Sequence, residues 1–373
     1  MTNQAKCLHC ILPPYLIEKI IERGSPKQQE RALKLLSMSS QIRDRRQSRP
    51  GVIPSGITAS PGKKNRLVYD AGFGSDLPGV LVRREGELSI GDQAADEAYE
   101  GAGLTYDLFH EIFNRNSIDG NGMKLVSSVH YLEGYDNAFW DGEQMVYGDG
   151  DEDLPKEERL FNRFTIAVDI IGHELTHGVT EYTARLAYQD QPGALNESFS
   201  DIMGILVKQR SLKQTAERAD WLIGAGLFTS LIKGKALRSM KDPGTAYDDP
   251  LIGKDPQPGH MKDYVKTSSD SGGVHINSGI PNRAFYWAAK EIGGYACEKA
   301  GRIWYIALSE KLTEKSDFQD AADKTWQTAV ALYGKNSLEQ QAVIDGWKKV
   351  GITVHTHKIG FYIDKIVNWF HNP

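Results

Sequence analysis

Cysteine is scarce in this chain: its 373 residues include only three, Cys7, Cys10 and Cys297. Because one must stay unpaired and two lie close together near the N-terminus, they do not form a disulfide framework. Cys7-Leu8-His9-Cys10 has a spacing found in metal sites, but a C-x-x-C segment without a second half gives little support for one. The cysteines therefore leave the redox compartment open.

Long apolar runs and a basic excess are missing as well. No stretch approaches the run of about 18 apolar residues that a membrane-spanning helix needs. The 44 lysines and arginines face 49 aspartates and glutamates, for a formal net charge of −5, which argues against nucleic acid or a membrane surface as a partner. The composition, 40% hydrophobic and 25% charged, is that of a globular protein, and the length suits a monomer of two domains.

The N-terminal segment 1–50 has no basic stretch followed by about 7–15 apolar residues, so a Sec signal peptide is not visible. If the protein is secreted, we expect another export route; storage of a precursor in the cytoplasm is the alternative. Two short helices are predicted within 12–38, opened by Pro13-Pro14 and separated at Gly24-Ser25-Pro26. The segment 41–54 carries four arginines and little to bury, which predicts an exposed linker, where proteases cut.

The middle of the chain is β-prone and the rest mainly helical. Strands are predicted at 67–69, 80–82 and 125–131. The segment 92–115 is predicted to form either a pair of helices or one helix bent at Gly101 and Gly103. From Ala194 onward, the predicted helices are 194–210, 216–224, 279–291, 294–311, 318–333 and 337–350.

The segment His173-Glu174-Leu175-Thr176-His177 concentrates the chemistry of the chain. It lies in a helix predicted over 164–185, so the two histidines, at i and i+4, leave the same face with Cβ atoms about 5–6 Å apart. That spacing suits two nitrogen ligands of one tetrahedral Zn²⁺. Glu174 falls beside the open position of the metal, where a carboxylate acts as general base toward a zinc-bound water. The alternative is a pair of core histidines bonded to backbone carbonyls.

A downstream glutamate favours the metal interpretation. Glu197 follows His177 by 20 positions, enough for the chain to turn back and begin a second helix at Ala194. Two histidines and one glutamate, with a fourth position left for water, form the catalytic kind of zinc site. Since ligand histidines usually donate their free N–H to an oxygen, Asp201 and Asn196 are expected to bond the first and the second histidine, respectively.

Four motifs together resemble the thermolysin family of neutral metalloendopeptidases, over about 51–351. They are His173–His177, Asn196-Glu197-x-x-Ser200-Asp201, Asn137-Ala138-Phe139-Trp140 and the run from Gly272 to Gly279. The leader with Pro13-Pro14-Tyr15-Leu16 resembles the protealysin-like branch, whose propeptides are short. The resemblance implies an α+β fold of two domains, β-rich at the N-terminus and mainly α-helical at the C-terminus, with a zinc cleft between them.

This resemblance implies a division of the chain into four parts. We expect an inhibitory propeptide over 1–50, a β-rich peptidase domain ending in the zinc-ligand helix over 51–182, an α-helical peptidase domain over 183–354 and a tail over 355–373. The leader from Ile11 to Leu16 is expected to lie along the cleft, with Tyr15 or Leu16 near the pocket walls. Its removal is expected through a cut between Arg43 and Ile53.

The resemblance also assigns roles to residues outside the zinc ligands. It implies that His275 and Tyr188 donate to the oxygen that becomes negative in the tetrahedral intermediate, with Asp270 orienting the histidine. It implies that Arg238 donates a hydrogen bond to a substrate carbonyl and holds Glu197 in place. From the residues alone, His275 would be an ordinary bonded loop histidine and Arg238 a solvated surface charge.

Five more residues are implied to bind the substrate. Asn137 and Ala138 would bond the backbone of an extended peptide at a strand edge. Phe161, Ile170 and Leu237 would form the walls of an apolar pocket for the residue after the scissile bond, although each could be plain core. Because burial contributes about 0.8 kcal/mol per methylene, leucine, isoleucine, valine or phenylalanine is expected there.

One departure from the large relatives concerns calcium. Those relatives carry a cluster of carboxylates for a paired calcium site, of which Asp169 is retained here. Lys208 stands at another ligand position, and Leu222 and Ala225 occupy others. Since an ammonium group is incompatible with an adjacent Ca²⁺, a paired calcium site is not expected.

The sequence thus predicts a zinc endopeptidase made as a zymogen, with proteins and peptides as substrates and its own propeptide as inhibitor. An aminopeptidase with the same zinc ligands is one alternative, but no acidic motif for a free amine precedes the helix. An inactive, zinc-stabilised binding protein is another, but every catalytic position is filled.

Overall fold

A six-stranded mixed sheet forms the N-terminal half of the computed structural model, which describes residues 9–48 and 60–356. The strands are His9–Cys10 (β1), Arg66–Asp70 (β2), Val80–Arg84 (β3), Leu125–Val129 (β4), Ala138–Trp140 (β5) and Met145–Tyr147 (β6). Their order is β1-β5-β6-β4-β2-β3, with β4 parallel to both β2 and β6 and the other pairs antiparallel. The three β-prone runs of the sequence are β2, β3 and β4.

Helices account for most of the regular structure in the described residues, and together with the sheet they confirm the expected α+β class. They are Pro14–Arg23 (α1), Pro26–Ser48 (α2), Gln93–Asp107 (α3), Val168–Glu181 (α4), Asp190–Ser211 (α5), Asp270–Asn277 (α6), Gly279–Ile292 (α7), Ala300–Glu310 (α8), Phe318–Tyr333 (α9) and Leu338–Lys349 (α10). Two short ribbons complete the fold: Leu222–Ile223 (β7) pairs with Arg238–Ser239 (β8), and Asp248–Asp249 (β9) pairs with Gly253–Lys254 (β10). None of the described helices has the length and apolar character that crossing a membrane requires.

The leader forms a short strand followed by a helical hairpin. Pro14 is the first residue of α1, where a fixed φ and a missing N–H are tolerated. The two helices separate at Gly24 and Ser25, as predicted. However, α2 continues to Ser48, so an exposed linker from position 41 onward is wrong for residues 41–48. Arginine and glutamine are good helix formers, and a lack of apolar residues does not by itself end a helix. Residues 49–54, which include the second part of the expected cut region, lie outside the described chain.

Helix α3 is unbroken at the two glycines where a bend was expected. A Cβ added at Gly101 would lie 2.4 Å from Ile171 Cδ1, and one at Gly103 would lie 2.4 Å from Arg66 Nη1. The glycines therefore permit close packing and do not bend the helix. The winding changes later, to a π-helical turn over Leu108–Ile112.

Several other helix boundaries differ from the sequence predictions. The helix of the histidine motif, α4, is shorter at both ends than 164–185, and α5 begins four residues before Ala194. The predicted helix 216–224 is wrong, because this segment forms turns and β7. There, Trp221 has a φ of 57° and donates its Nε1–H to the Ala216 carbonyl oxygen at 2.9 Å. Helix α8 begins six residues later than expected.

Helices α4 and α5 pack closely at the centre of the molecule. A Cβ on Gly172 would lie 3.0 Å from Gly204 Cα, and one on Gly204 would lie 2.3 Å from the Asp169 carbonyl oxygen. Every residue from Asp169 to Thr180 is buried, and α4 also packs against β5. The histidines and carboxylates of these two helices therefore need polar partners inside the protein.

Candidate metal centre

His173 and His177 on α4 and Glu197 on α5 bring their ligand atoms together. These atoms lie within 4.8 Å of one another. The two histidine Nε2 atoms are 3.0 Å apart, and each lies 3.5 Å from one carboxylate oxygen of Glu197. All three side chains are at most 1% exposed. Cys10, the described cysteine of the C-x-x-C segment, is not part of this cluster.

The hydrogen bonds around the two histidines leave a gap that a cation fits. His173 Nδ1 is 2.8 Å from Asp201 Oδ1, and His177 Nδ1 is 2.9 Å from Asn196 Oδ1. Because these oxygens accept, the Nδ1 atom of each histidine carries the hydrogen. The lone pairs of the two Nε2 atoms therefore face each other. Glu197 Oε2 is buried and has no hydrogen-bond partner within the described chain. A zinc ion with Zn–N distances of about 2.0–2.1 Å would satisfy all three groups.

Asp201 is held by donors from two other elements. Arg238 donates through Nε and Nη2, at 2.9 and 2.7 Å, and Asn282 donates through Nδ2 at 2.8 Å. Burial alone would raise the pKa of Asp201, but the Arg238 guanidinium and then His173 hold that pKa well below its ordinary value. Arg238 makes no hydrogen bond to Glu197 within the described chain; it bonds Asp201, and its charge acts on Glu197 through space. No sequence motif marked Asn282.

A third histidine, His275, faces Glu197 from the last turn of α6. His275 Nδ1 is 2.5 Å from Asp270 Oδ1, and the His275 backbone N–H donates to Asp270 Oδ2 at 2.9 Å. His275 Nε2 lies 3.5 Å from Glu197 Oε2 and 3.2 Å from the Tyr188 hydroxyl, which donates a short hydrogen bond to Glu197 Oε1. Burial alone would lower the pKa of His275, but Asp270 and then Glu197 raise it to about 9.

The backbone before His275 requires glycine. Ser271, Gly272 and Gly273 have φ values of 49°, 84° and 78°, in the left-handed region that favours glycine. A Cβ on Gly272 would lie 2.1 Å from Asp190 Oδ1, at the start of α5. This turn brings His275 beside the histidine and glutamate cluster.

Glu174 lies between the two histidines in sequence and faces the sheet edge. It is fully buried, and its Oε2 accepts the backbone N–H of Trp140 on β5 at 3.2 Å. Its carboxylate is therefore presented to the groove between α4 and β5.

The leader strand β1 lies in this groove, antiparallel to β5. The Ile11 N–H donates to the Ala138 carbonyl oxygen at 3.3 Å, and the Leu12 N–H donates to Asn137 Oδ1 at 3.1 Å. Asn137 and Ala138, expected to bond a substrate backbone, thus bond the backbone of the leader.

Two residues with expected catalytic roles contact the same segment. Arg238 Nη1 donates to the Ile11 carbonyl oxygen at 3.4 Å, and His275 Nε2 lies 3.1 Å from the Cys10 carbonyl oxygen. After Leu12 the chain leaves the groove, since α1 begins at Pro14. The expected extended path therefore holds for Ile11 and Leu12, whereas Leu16 and Tyr15 belong to α1.

Phe161, Ile170 and Leu237, the expected pocket walls, are all buried. They belong to the same cluster of packed apolar side chains as Ile11. Phe161 also lines a small cavity next to Leu12 of the leader. These positions are compatible with pocket walls and with core.

Lys208 occupies a group of oxygens away from the histidines. Its Nζ is 3.0 and 3.1 Å from the two Asp220 carboxylate oxygens, 2.9 Å from the Leu222 carbonyl oxygen and 3.5 Å from Asp169 Oδ2. Burial raises the pKa of Asp169, and Lys208 opposes that rise. In the described structure the Lys208 ammonium group is the positive charge that these oxygens surround.

Comparison with known proteins gives concordant matches. The profile of the thermolysin metallopeptidase catalytic domain matches residues 67–181, and that of the thermolysin metallopeptidase alpha-helical domain matches 184–352. An extracellular metalloprotease of Pectobacterium carotovorum subsp. carotovorum is 49% identical over 348 residues, which are 92% of this chain and 96% of that protein. A thermolysin of Alicyclobacillus acidocaldarius subsp. acidocaldarius is 41% identical over 296 residues, 77% of this chain, which spans about half (50%) of that relative's length.

Among solved structures, the precursor of protealysin, a metalloproteinase from Serratia proteamaculans, is similar over almost the whole chain. The TM-score is 0.84 at 50% sequence identity, and the match covers 92% of this chain and 100% of that one. The likeness therefore includes the leader as well as the two parts of the body.

Proposed function

Because the chain belongs to the thermolysin family of zinc-dependent metalloendopeptidases, we propose that it is a zymogen whose active form cuts on the N-terminal side of bulky apolar residues. The observation that supports this most is the path of the leader. Its backbone from Cys10 to Leu12 runs along the edge strand beside His173, His177 and Glu197 and takes up the hydrogen bonds of an extended peptide.

His173, His177 and Glu197 hold one zinc ion in this proposal. When bound, zinc supplies a Lewis acid that polarises the substrate carbonyl and makes water a better nucleophile. Glu174 accepts the proton of the attacking water and delivers it to the nitrogen of the leaving amine. Its position between α4 and β5 supports this role, because a peptide paired with β5 passes beside its carboxylate.

His275 and Tyr188 donate to the oxygen of the scissile carbonyl as it becomes negative. The 3.1 Å distance from His275 Nε2 to the Cys10 carbonyl oxygen supports this, since that carbonyl stands where a scissile one would. Asp270 fixes the histidine ring through Nδ1. Arg238 donates to the next carbonyl along the peptide, as it does to Ile11.

The position of Ile11 supports the apolar specificity. Ile11 follows the carbonyl that faces His275, so it corresponds to the residue after the scissile bond, and it is 0% exposed. Phe161, Ile170 and Leu237 are the proposed walls of its pocket. Asp201 and Asn196, which hold the outer nitrogens of the ligand histidines, complete the site.

The leader is proposed to inhibit by filling the cleft. Residues 1–50 are then the propeptide, 51–182 and 183–354 the two peptidase domains, and 355–373 a tail. The curated relative named an extracellular metalloprotease supports secretion of this chain. Proteins and peptides are the proposed substrates, and a monomer is the proposed state.

Hydrolysis of casein, compared with cleavage of amino-acid anilides, tests the proposal. An endopeptidase should hydrolyse casein, lose that activity with phenanthroline and regain it with zinc, and leave anilides intact. Cleavage of anilides alone would support the aminopeptidase alternative. Bound zinc without either activity, after the leader is removed, would support an inactive binding protein.

A further inference from the structure

Three carboxylates of the body surround the guanidinium of Arg31, on leader helix α2. Arg31 Nη1 is 3.3 Å from Asp151 Oδ1 and 3.0 Å from Asp153 Oδ1, and its Nη2 donates a short hydrogen bond to Asp153 Oδ2. Asp136 is the third carboxylate that acts on this guanidinium. We name Asp136, Asp151 and Asp153 the acidic pocket.

Asp151 is fixed by the body and not by the leader. Its Oδ2 accepts the backbone N–H groups of Leu160 and Phe161 at 2.8 and 3.1 Å. These two bonds leave Oδ1 directed at Arg31, in a side chain whose residue is 2% exposed. The carboxylate is therefore already oriented for a donor.

Asp136 presents an acceptor that nothing in the described chain satisfies. The residue is 7% exposed, and its Oδ1 is buried without a hydrogen-bond partner among residues 9–48 and 60–356. Burial, and then the neighbouring Asp151, raise the pKa of Asp136. A buried acceptor without a donor is unfavourable, so a further donor in the pocket would be stabilising.

The acidic pocket adjoins the cleft on the side that follows the scissile bond. A small cavity is lined by Asp136, Asp151 and Phe161 of the body and is covered by leader residues that include Leu12 and Arg31. Phe161 is a proposed wall of the apolar pocket, and its N–H is bonded to Asp151. Departure of the leader would uncover the pocket and remove its cation.

The pocket is shaped for a planar fork of donors. Its floor is backbone, since a Cβ on Gly134 would lie 2.7 Å from Arg31 Nη1. In the described chain only the histidine and glutamate cluster brings three ligand atoms within 4.8 Å of one another. The three aspartates are therefore spread too widely to ligate one metal ion. A guanidinium suits this spread because it bonds carboxylates through several fixed N–H groups.

We propose that Asp136, Asp151 and Asp153 form a binding site for an arginine side chain. Arg31 fills it in the precursor, and an arginine of the protein substrate, beyond the residue that follows the scissile bond, fills it once the leader leaves. The second statement rests on the proposed endopeptidase function, whereas the first does not.

The first test uses the full chain with Glu174→Ala, so that self-cutting is suppressed. Arg31→Ala on this background should lower Tm, and methylguanidinium chloride should restore part of the loss where methylammonium chloride at equal concentration does not. Arg23→Ala is the matched control, because Arg23 Nη1 contacts the Pro250 carbonyl oxygen and no carboxylate of the pocket. Restoration should disappear when Asp153→Asn is added; its side chain is 36% exposed, so this variant should fold.

Three results would overturn the arginine site. Arg31→Ala without any loss in Tm would mean that the pocket gains nothing from its cation. Equal effects of methylguanidinium on the Arg31→Ala and Arg23→Ala chains would mean that no specific site exists. Restoration by calcium chloride in place of methylguanidinium would mean that the pocket selects a metal ion.

The second test measures cleavage by the wild-type protein, starting as the full chain. Paired peptides carry leucine after the scissile bond and either arginine or its uncharged analogue citrulline at one of the positions beyond it. At one position arginine should raise kcat/KM about ten-fold, and Asp153→Asn should abolish that preference. Equal cleavage of every pair would overturn the substrate statement and leave the peptidase intact. Cleavage of neither peptide would overturn the proposed function, while the first test still decides the site.

Discussion

Ile11 gives the sharpest test of how the leader closes the cleft. It is fully buried, and its N–H and carbonyl are bonded to Ala138 and Arg238. Ile11→Ala keeps both backbone bonds but removes three carbons from a packed site, which typically costs about 2–5 kcal/mol. The loss falls on the docked leader, so the fraction of chains with an open cleft should rise.

The size of this effect follows from the lower figure. Since about 1.4 kcal/mol is a factor of ten, a loss of about 2 kcal/mol raises the open fraction about 30-fold. Apparent affinity for a peptide scales with that fraction while it stays small. On a Glu174→Ala background, fluorescence anisotropy with a labelled peptide that contains an internal leucine should therefore show binding about 30-fold tighter for Ile11→Ala.

A second leader residue provides the control. Leu33 lies on α2 and is 55% exposed, so Leu33→Ala should leave the peptide affinity unchanged. Zinc content and circular dichroism, measured on all variants, show that the site and the fold persist. Equal peptide affinity for Ile11→Ala and the parent chain, with both folded and loaded, would refute the idea that Ile11 anchors the leader in the cleft.

Four further predictions follow from the site and the fold. Glu174→Ala should keep one zinc per chain and lose about 10²–10⁴-fold in peptide hydrolysis, because a proton acceptor is removed and no ligand; metal analysis showing an empty protein would contradict this. His275→Ala should lower kcat far more than it raises KM, because its donation serves charge in the transition state, and a change in KM alone would make it a binding residue. The Asp149 and Asp92 carboxylates raise the pKa of His130 from 6.5 to about 9, so this stabilisation is complete below about pH 6.5 and lost as pH rises through about 9; the difference between wild type and His130→Gln in the free energy of unfolding by urea should shrink over that range, and a constant difference would refute it. Calcium should leave Tm unchanged, whereas Lys208→Ala should reduce the free energy of unfolding by about 3–5 kcal/mol, because a buried carboxylate loses its partner; a large rise in Tm with calcium would show that Lys208 does not replace the ion.

The sequence could predict the local part of the site because helix geometry converts spacing into position. His173 and His177 share a face of α4, and Asp201 follows Glu197 by one turn of α5. Once α4 and α5 pack, the bonds of Asp201 and Asn196 to the two histidines follow from those spacings. The α+β class of the fold could also be predicted, because β-prone and helical segments are separated along the chain.

Contacts between residues that are distant in sequence could not be predicted in this way. Asn282 and Arg238 reach Asp201 from α7 and β8, and their side chains carry no pattern that names the partner. The resemblance relates Arg238 to Glu197, whereas the hydrogen bonds of Arg238 go to Asp201 and only its charge acts on Glu197. Residue propensity predicts a helix at 216–224, because it does not indicate that Trp221 adopts a left-handed conformation inside the core.

The leader shows why separate elements can be predicted when their joint arrangement cannot. Pro13 and Pro14 lack the N–H groups that pairing with β5 would need, so the extended segment that follows β1 ends at Leu12 and helix α1 begins at Pro14. The helical hairpin then carries Arg31 to the carboxylates of Asp151 and Asp153, which are 120 and 122 residues away in sequence. Since α2 lacks a strong apolar pattern, nothing local marks that contact. The leader is thus attached in the cleft, by backbone bonds and the buried Ile11 side chain, and outside it, by a charged contact. A cut in the linker breaks neither attachment. We therefore expect the cut leader to stay bound until one of these two attachments is lost.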